Sequence, residues 1–168
     1  MAAPHIHSHR NRELVLRIVS ASILIPYALL VVSAGGAALA LSCALFGAVM
    51  GYEWARMTAS PIMPLMALFS ALPSLASILV EREVALGLLV VCAFLVLLLH
   101  PARLRERVIA SFGIVYASAL PLALLLLREG DWYGQAAALI LMGTVWASDS
   151  GAYFAGQGFG GPPLAPRD

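Results

Sequence analysis

The chain is a succession of long apolar runs separated by short polar breaks, and most runs have the length of membrane helices rather than of buried core segments. The first extends from about Leu14 to Val32 and contains Pro26, with Arg17 one turn in, where its long stem lets the charge reach an interface. Ser33-Ala34-Gly35-Gly36 is too short for anything but a turn. A second run, from about Ala37 to Met50, leads into Tyr52-Glu53-Trp54-Ala55-Arg56. The two aromatics there suit an interfacial belt, and Glu53 stands i,i+3 to Arg56 for a local ion pair. The third run, about Ile62 to Val80, carries Pro64 and Pro73, and Pro73 predicts a kink. Glu81-Arg82-Glu83 reads as a tight charged turn. The fourth, about Val84 to Leu99, is uniformly aliphatic and ends at His100-Pro101. The basic segment Arg103-Leu104-Arg105-Glu106-Arg107 precedes the fifth, about Val108 to Leu127, which holds Tyr116 and Pro121. After the turn Arg128-Glu129-Gly130-Asp131-Trp132, a sixth run begins near Gln135 and continues into Trp146-Ala147-Ser148-Asp149-Ser150-Gly151-Ala152-Tyr153-Phe154-Ala155-Gly156.

This pattern predicts an all-α fold: a polytopic integral membrane helix bundle of about six transmembrane helices. Residues 1–13 form a polar tail, 14–156 the transmembrane helical domain and 157–168 a Gly/Pro-rich tail that cannot extend the last helix.

Composition agrees. The chain is 61% hydrophobic and 11% charged with a mean hydropathy of +0.91, against roughly 45–50% apolar and about 25% charged for a soluble domain. A net charge of +1 gives no electrostatic case for a nucleic-acid partner. All ten basic residues are arginines. With six spans and the N-terminus inside, eight of them fall on inner segments, and only Arg82 and Arg128 on outer turns. That bias predicts a multi-pass protein of the inner, cytoplasmic membrane with both termini cytoplasmic. The first run is long enough to span and no small-residue cleavage site follows it, so it does not read as a removable signal. Cys43 and Cys92 lie inside apolar runs and read as small buried hydrophobes. His5, His7 and His9 are compatible with metal binding or with a solvated tail.

The chemistry concentrates at Asp149. A carboxylate within or at the edge of a membrane helix costs about 2.5–3.5 kcal/mol on insertion scales, so it marks a functional candidate. Gly143, Ala147, Gly151 and Ala155 recur every four residues, a small-residue face that admits another helix. Trp146, Asp149, Tyr153 and Gly156 form a separate stripe, and Ser148 and Ser150 add hydroxyls beside it. A carboxylate at the cytoplasmic end of a bundle suits Mg²⁺ shared with substrate phosphates. The glycines from Gly156 to Gly161 either terminate the helix or let backbone amides approach a phosphate.

The stretch from Trp146 to Gly156, followed by Phe159-Gly160 and Leu164-Ala165-Pro166, resembles the phosphatidate cytidylyltransferases, or CDP-diacylglycerol synthases. Arg17 opening a first helix with Pro26, Glu53-Trp54-Ala55-Arg56 closing the second, and Tyr116 before a Leu-rich run ending in Arg128-Glu129 fit the same family. The resemblance implies a membrane enzyme that condenses CTP with phosphatidate to give CDP-diacylglycerol and diphosphate, with Mg²⁺. It implies Asp149 as the catalytic and metal-binding candidate, with Ser150, Tyr153 and Gly156 in contact with substrate. Family members continue past Leu-Ala-Pro into a Ser-Pro-Lys-Lys-Thr-x-Glu-Gly segment and further helices. Here Gln157 stands where the family usually has Arg, Pro162-Pro163 where basic residues are common, and no Lys occurs anywhere. The resemblance therefore implies the N-terminal part of such an enzyme, truncated at its C-terminus, working as a homodimer or with a complementing C-terminal chain in membrane lipid. The rival readings are a small transporter or channel subunit and a non-catalytic membrane fragment. A transporter predicts ionisable residues inside several helices or symmetry between halves, and neither is evident in the sequence.

Overall fold

The computed structural model describes residues 5–130 and 132–159, and the side chains of 18–130 and 132–156. Six helices follow one another: α1 (His5–Ala34), α2 (Gly36–Met57), α3 (Met63–Ala76), α4 (Arg82–Leu99), α5 (Leu104–Arg128) and α6 (Trp132–Phe159). The all-α expectation holds. Among the described residues three helices, α2, α4 and α5, are long and apolar enough to cross a membrane, and the described part of α1 contributes the apolar stretch Ile18–Ala34. At 14 residues, α3 is about 21 Å long, less than the roughly 30 Å hydrocarbon thickness.

Several boundaries move. Helix α1 begins at His5, so the polar segment expected to be a separate tail is helical from that residue onward. The side chains of His5, His7, His9 and Arg17 lie outside the described residues, as do Asp131 and residues 160–168. The tight turn expected at Glu81-Arg82-Glu83 and the basic segment Arg103–Arg107 expected ahead of the fifth helix instead supply the N-caps, Glu81 and Arg103, and the first turns of α4 and α5. Helix α6 does not stop at Gly156 but continues through Phe159. Short charged segments look like turns because they are polar, yet a helix in contact with its neighbours carries them in its end turns at little cost.

Helix α3 is packed between α2, α4 and α5, while α6 leans on α5 and α1 at the edge of the bundle. Two apolar clusters stack along the bundle. One joins Val32, Leu39, Cys43, Leu122, Leu125 and Ala138 near the α1–α2 and α5–α6 turns. The other joins Ala55, Met66, Cys92, Val96, Ala110 and Ile114 at the opposite end. Both cysteines are buried and free, as expected. In lipid, apolar side chains gain little by leaving one apolar medium for another, so close contact must hold the helices. The close contacts are made by glycines. A Cβ at Gly47 would lie 2.6 Å from the Ser70 carbonyl oxygen, and one at Gly51 would lie 2.8 Å from that of Met66, so α2 and α3 touch backbone to backbone.

Gly113 on α5 leaves room for Trp54, whose ring fills the place a Cβ would take. Trp54, half-buried at the end of α2, is held against α5. It turns inward, donates Nε1–H to the Ile109 carbonyl at 3.1 Å, and packs against Phe112 and Tyr116. Tyr52 stays exposed, and the expected Glu53–Arg56 pair forms at 3.1 Å. At the other end, Arg128 clamps three elements. Its Nε donates to the Val32 carbonyl at 2.7 Å, and a terminal nitrogen reaches the Ser33 carbonyl at 3.2 Å and Gln135 Oε1 at 3.5 Å. The last carbonyls of α1, which have no partner within their own helix, are thereby satisfied by the residue that leads into α6.

Candidate functional site around Asp149

Arg128 and Gly130 fix where α6 starts: Gly130, at φ 100, makes a turn that residues with a Cβ rarely adopt. Ala138 is then buried among Val32, Leu39 and Leu125, and Met142 packs on the same cluster. Trp146 is the last α6 residue to line the apolar cavity between α1, α2 and α5, a space of about 270 Å³ also bounded by Tyr27, Ser42 and Phe46. Beyond Trp146 the helix leaves the bundle. Asp149, Ser150 and Gly156 are exposed and Tyr153 is half-buried, its ring edge-on to Phe154 at 5.6 Å.

Asp149 lies 17 residues into α6, about 25 Å along the axis at 1.5 Å per residue. Helix α2 starts at the same end and runs the same way, which sets Asp149 near the level of Glu53 and Trp54. The stripe Trp146–Asp149–Tyr153–Gly156 thus leads from the apolar interior to the polar end where α2 and α4 finish and α5 begins. Asp149 and Ser150 are adjacent and both open to the surroundings, with no element packed over them among the described residues.

The small-residue face behaves differently from expectation. A Cβ added at Gly143 or Gly151 would meet nothing within 4 Å, so no helix approaches there among the described residues. The closely packed glycines are Gly47 and Gly51 on α2, themselves four residues apart and in line with Cys43 and Ala55, and Gly113 on α5. Sequence spacing alone cannot tell a face that is used from one that is bare.

Mg²⁺ was tested against the donors present. Among the described residues no group of three or more His, Cys, Asp or Glu side chains stands together. Asp149 offers one hard oxygen donor, which fits one position of an octahedral ion but does not make a binding site. The described residues do not hold the ion by themselves.

A second polar centre escaped the sequence pattern. Ser60, after α2, and His100, after α4, are 3% and 2% exposed and hydrogen-bonded at 3.0 Å. Histidine at the end of an aliphatic run and serine before a proline are ordinary helix-terminating residues, and only the packing of α2, α3 and α4 makes them partners.

Comparison with known proteins follows the same helices. The phosphatidate cytidylyltransferases of Brucella suis biovar 1 and Brucella melitensis biotype 1 are each 32% identical to this chain over 162 residues, covering 92% of it and 58% of theirs. That of Brucella abortus biovar 1 is similar to the same extent. The chain thus spans a little under three fifths of the length of the curated relatives it matches. No solved structure matches it. The pattern of the cytidylyltransferase family fits residues 15–167, which takes in α1 from Val15 onward, all of α2 to α6 and the whole Asp149 stripe. This chain is a helical membrane protein that belongs to the cytidylyltransferase family.

Proposed function

We propose that this chain supplies the membrane-embedded part of a phosphatidate cytidylyltransferase, with CTP and phosphatidate as substrates and CDP-diacylglycerol and diphosphate as products. The carrying observation is the family match over 15–167 together with an exposed carboxylate, Asp149, on a helix whose inner half is anchored in the bundle. A phosphate oxygen of phosphatidate attacks the α-phosphorus of CTP. A new P–O–P bond forms as the bond to the β-phosphoryl oxygen breaks, and diphosphate leaves with the electron pair.

Both reactants are anionic, so a carboxylate would help only by sharing a cation with them, and Mg²⁺ would supply that neutralisation when bound. In this reading Asp149 would offer one oxygen toward such an ion, and its other protein ligands would lie outside the described residues. Ser150 donates a hydrogen bond to a phosphoryl oxygen. Tyr153 and Gly156 border the substrate one and two turns further along α6. The active face is cytoplasmic, in the inner membrane, which agrees with the arginine bias and with the need for soluble CTP. The bare face at Gly143 and Gly151 gives room for a further helix, from a second copy or from a complementing C-terminal chain.

The test is CDP-diacylglycerol formation by the purified chain in detergent with CTP, phosphatidate and Mg²⁺. Turnover abolished by Asp149→Asn, with the helical content unchanged, supports the assignment. Turnover that survives Asp149→Asn removes Asp149 from the site, and absence of turnover in the native chain refutes independent activity.

A further inference from the structure

The junction of Ser60 and His100 encloses a cavity of about 390 Å³ at the bundle end shared by α2, α4 and α5, lined by Thr58, Ser60, His100, Arg105, Glu106 and Ile109, among others. Its walls are held by specific bonds. Helix α2 ends in a reverse turn in which Ser60 N–H donates to the Ala55 carbonyl at 2.8 Å and Ala59 N–H to that of Arg56 at 3.2 Å. On the facing loop, Arg107 Nε donates to the Ala102 carbonyl at 2.8 Å. The two loops are locked together by the Ser60–His100 bond.

The hydrogen bonds assign the protons. Ala102 N–H donates to His100 Nδ1 at 3.3 Å, so Nδ1 is the bare nitrogen and Nε2 carries the hydrogen. Nε2–H therefore donates to Ser60 Oγ, which also receives the Ile62 N–H at 3.5 Å. Histidine in this tautomer is no base toward the serine, which excludes a Ser–His nucleophile. It also leaves the Ser60 hydroxyl hydrogen, almost wholly buried, with no acceptor among the described residues. A second set of donors lies close by. Arg105 forms no ion pair or hydrogen bond with the described residues, and the N-terminus of α5 has no side-chain cap. Glu106 is the one acidic side chain on the wall, and it is not paired with Arg105.

A preformed cavity with a free guanidinium and an unspent buried hydroxyl donor calls for a small, oxygen-rich anion. We propose that it binds a phosphate group, at a site separate from Asp149. Free phosphate and the headgroup of a phosphomonoester lipid present the same chemistry to it.

The test uses the full chain in detergent, titrated calorimetrically with inorganic phosphate, and the chain reconstituted with phosphatidylcholine containing phosphatidate, then examined by native mass spectrometry for retained lipid. Arg105→Ala, an exposed position that folding does not depend on, is expected to weaken phosphate binding about tenfold or more, the loss of one charge-assisted bond. Glu106→Gln is expected to tighten it, and Arg82→Ala, at the opposite end, to leave it unchanged. Retained phosphatidate displaced by phosphate identifies the lipid headgroup as the ligand, whereas phosphate binding without retained lipid identifies the free anion, and either upholds the site. Absence of binding by both probes, or equal binding by Arg105→Ala, overturns it.

Discussion

Arg128 is where the position of the Asp149 helix is most open to test, because one side chain joins the end of α1 to the start of α6. Arg128→Ala removes a short bond to Val32 O at 2.7 Å and a more exposed one to Ser33 O at 3.2 Å. A hydrogen bond from a charged donor contributes about 1.5–3 kcal/mol when sheltered, and an exposed one a few tenths. Favourable placement of a cation at a helix C-terminus adds about 0.3–1 kcal/mol and partly overlaps those bonds. The expected loss is therefore about 2–3 kcal/mol, which for a chain of this size lowers the melting temperature by about 4–10 °C. Arg128→Lys keeps the charge but not the planar fork, and recovers less than half. Gly35, at φ 63, lies beneath the guanidinium, and a Cβ there would meet its terminal nitrogen at 3.2 Å. Gly35→Ala is expected to cost about 1–2 kcal/mol, the left-handed strain of a residue with a side chain. The assay is thermal unfolding in a fixed detergent followed by near-ultraviolet circular dichroism. An Arg128→Ala chain melting with the native one, or a Lys variant as stable as Arg, would refute the clamp.

Four further outcomes follow from the packing. Gly113→Val drives a side chain into the Trp54 ring and is expected to destabilise by about 3 kcal/mol or more, with Trp54 fluorescence shifted toward that of an exposed indole. Gly143→Ala meets nothing within 4 Å, so its melting temperature is expected to be equal or slightly higher, the helix gaining up to about 1 kcal/mol of propensity. His100→Ala strips partners from Ser60 and from the Ala102 amide at a buried site, and a cost of about 2–4 kcal/mol is expected in the same melts. Ala59→Gly relieves a positive φ of 51 at the end of α2 and is expected to stabilise by about 1 kcal/mol, which urea unfolding in detergent checks through an unchanged slope and a higher midpoint.

Legibility differed from feature to feature. The six helices were visible because 18 or so apolar residues in a row have few alternatives to a membrane helix. The Glu53–Arg56 pair was visible because it depends only on local spacing. Asp149 was visible as chemistry out of place. The helix ends were misread wherever charged residues continued a helix, as at Arg105 and Arg107, since polarity marks exposure and not the end of hydrogen bonding. The packing of Trp54 was not legible because a local sequence does not reveal its partner, which lies 59 residues away at Gly113, where no side chain blocks the ring.

By itself the sequence determined a helical membrane protein, the order of its helices, the resemblance carried by the Asp149 stripe and the arginine bias between its ends. These are properties of contiguous segments, set by transfer into lipid and by helix periodicity. Only the tertiary structure decided which small residues are contact points, that Arg128 binds α1 to α6, and that Ser60 and His100 share a cavity with a free Arg105. Those relations join residues from 15 positions apart, as Gly51 and Met66, to 96 apart, as Val32 and Arg128, and no local pattern encodes them because nothing local requires them. They exist only once the helices pack, when backbone contact at glycines and the demand of buried polar groups for partners select one arrangement among many.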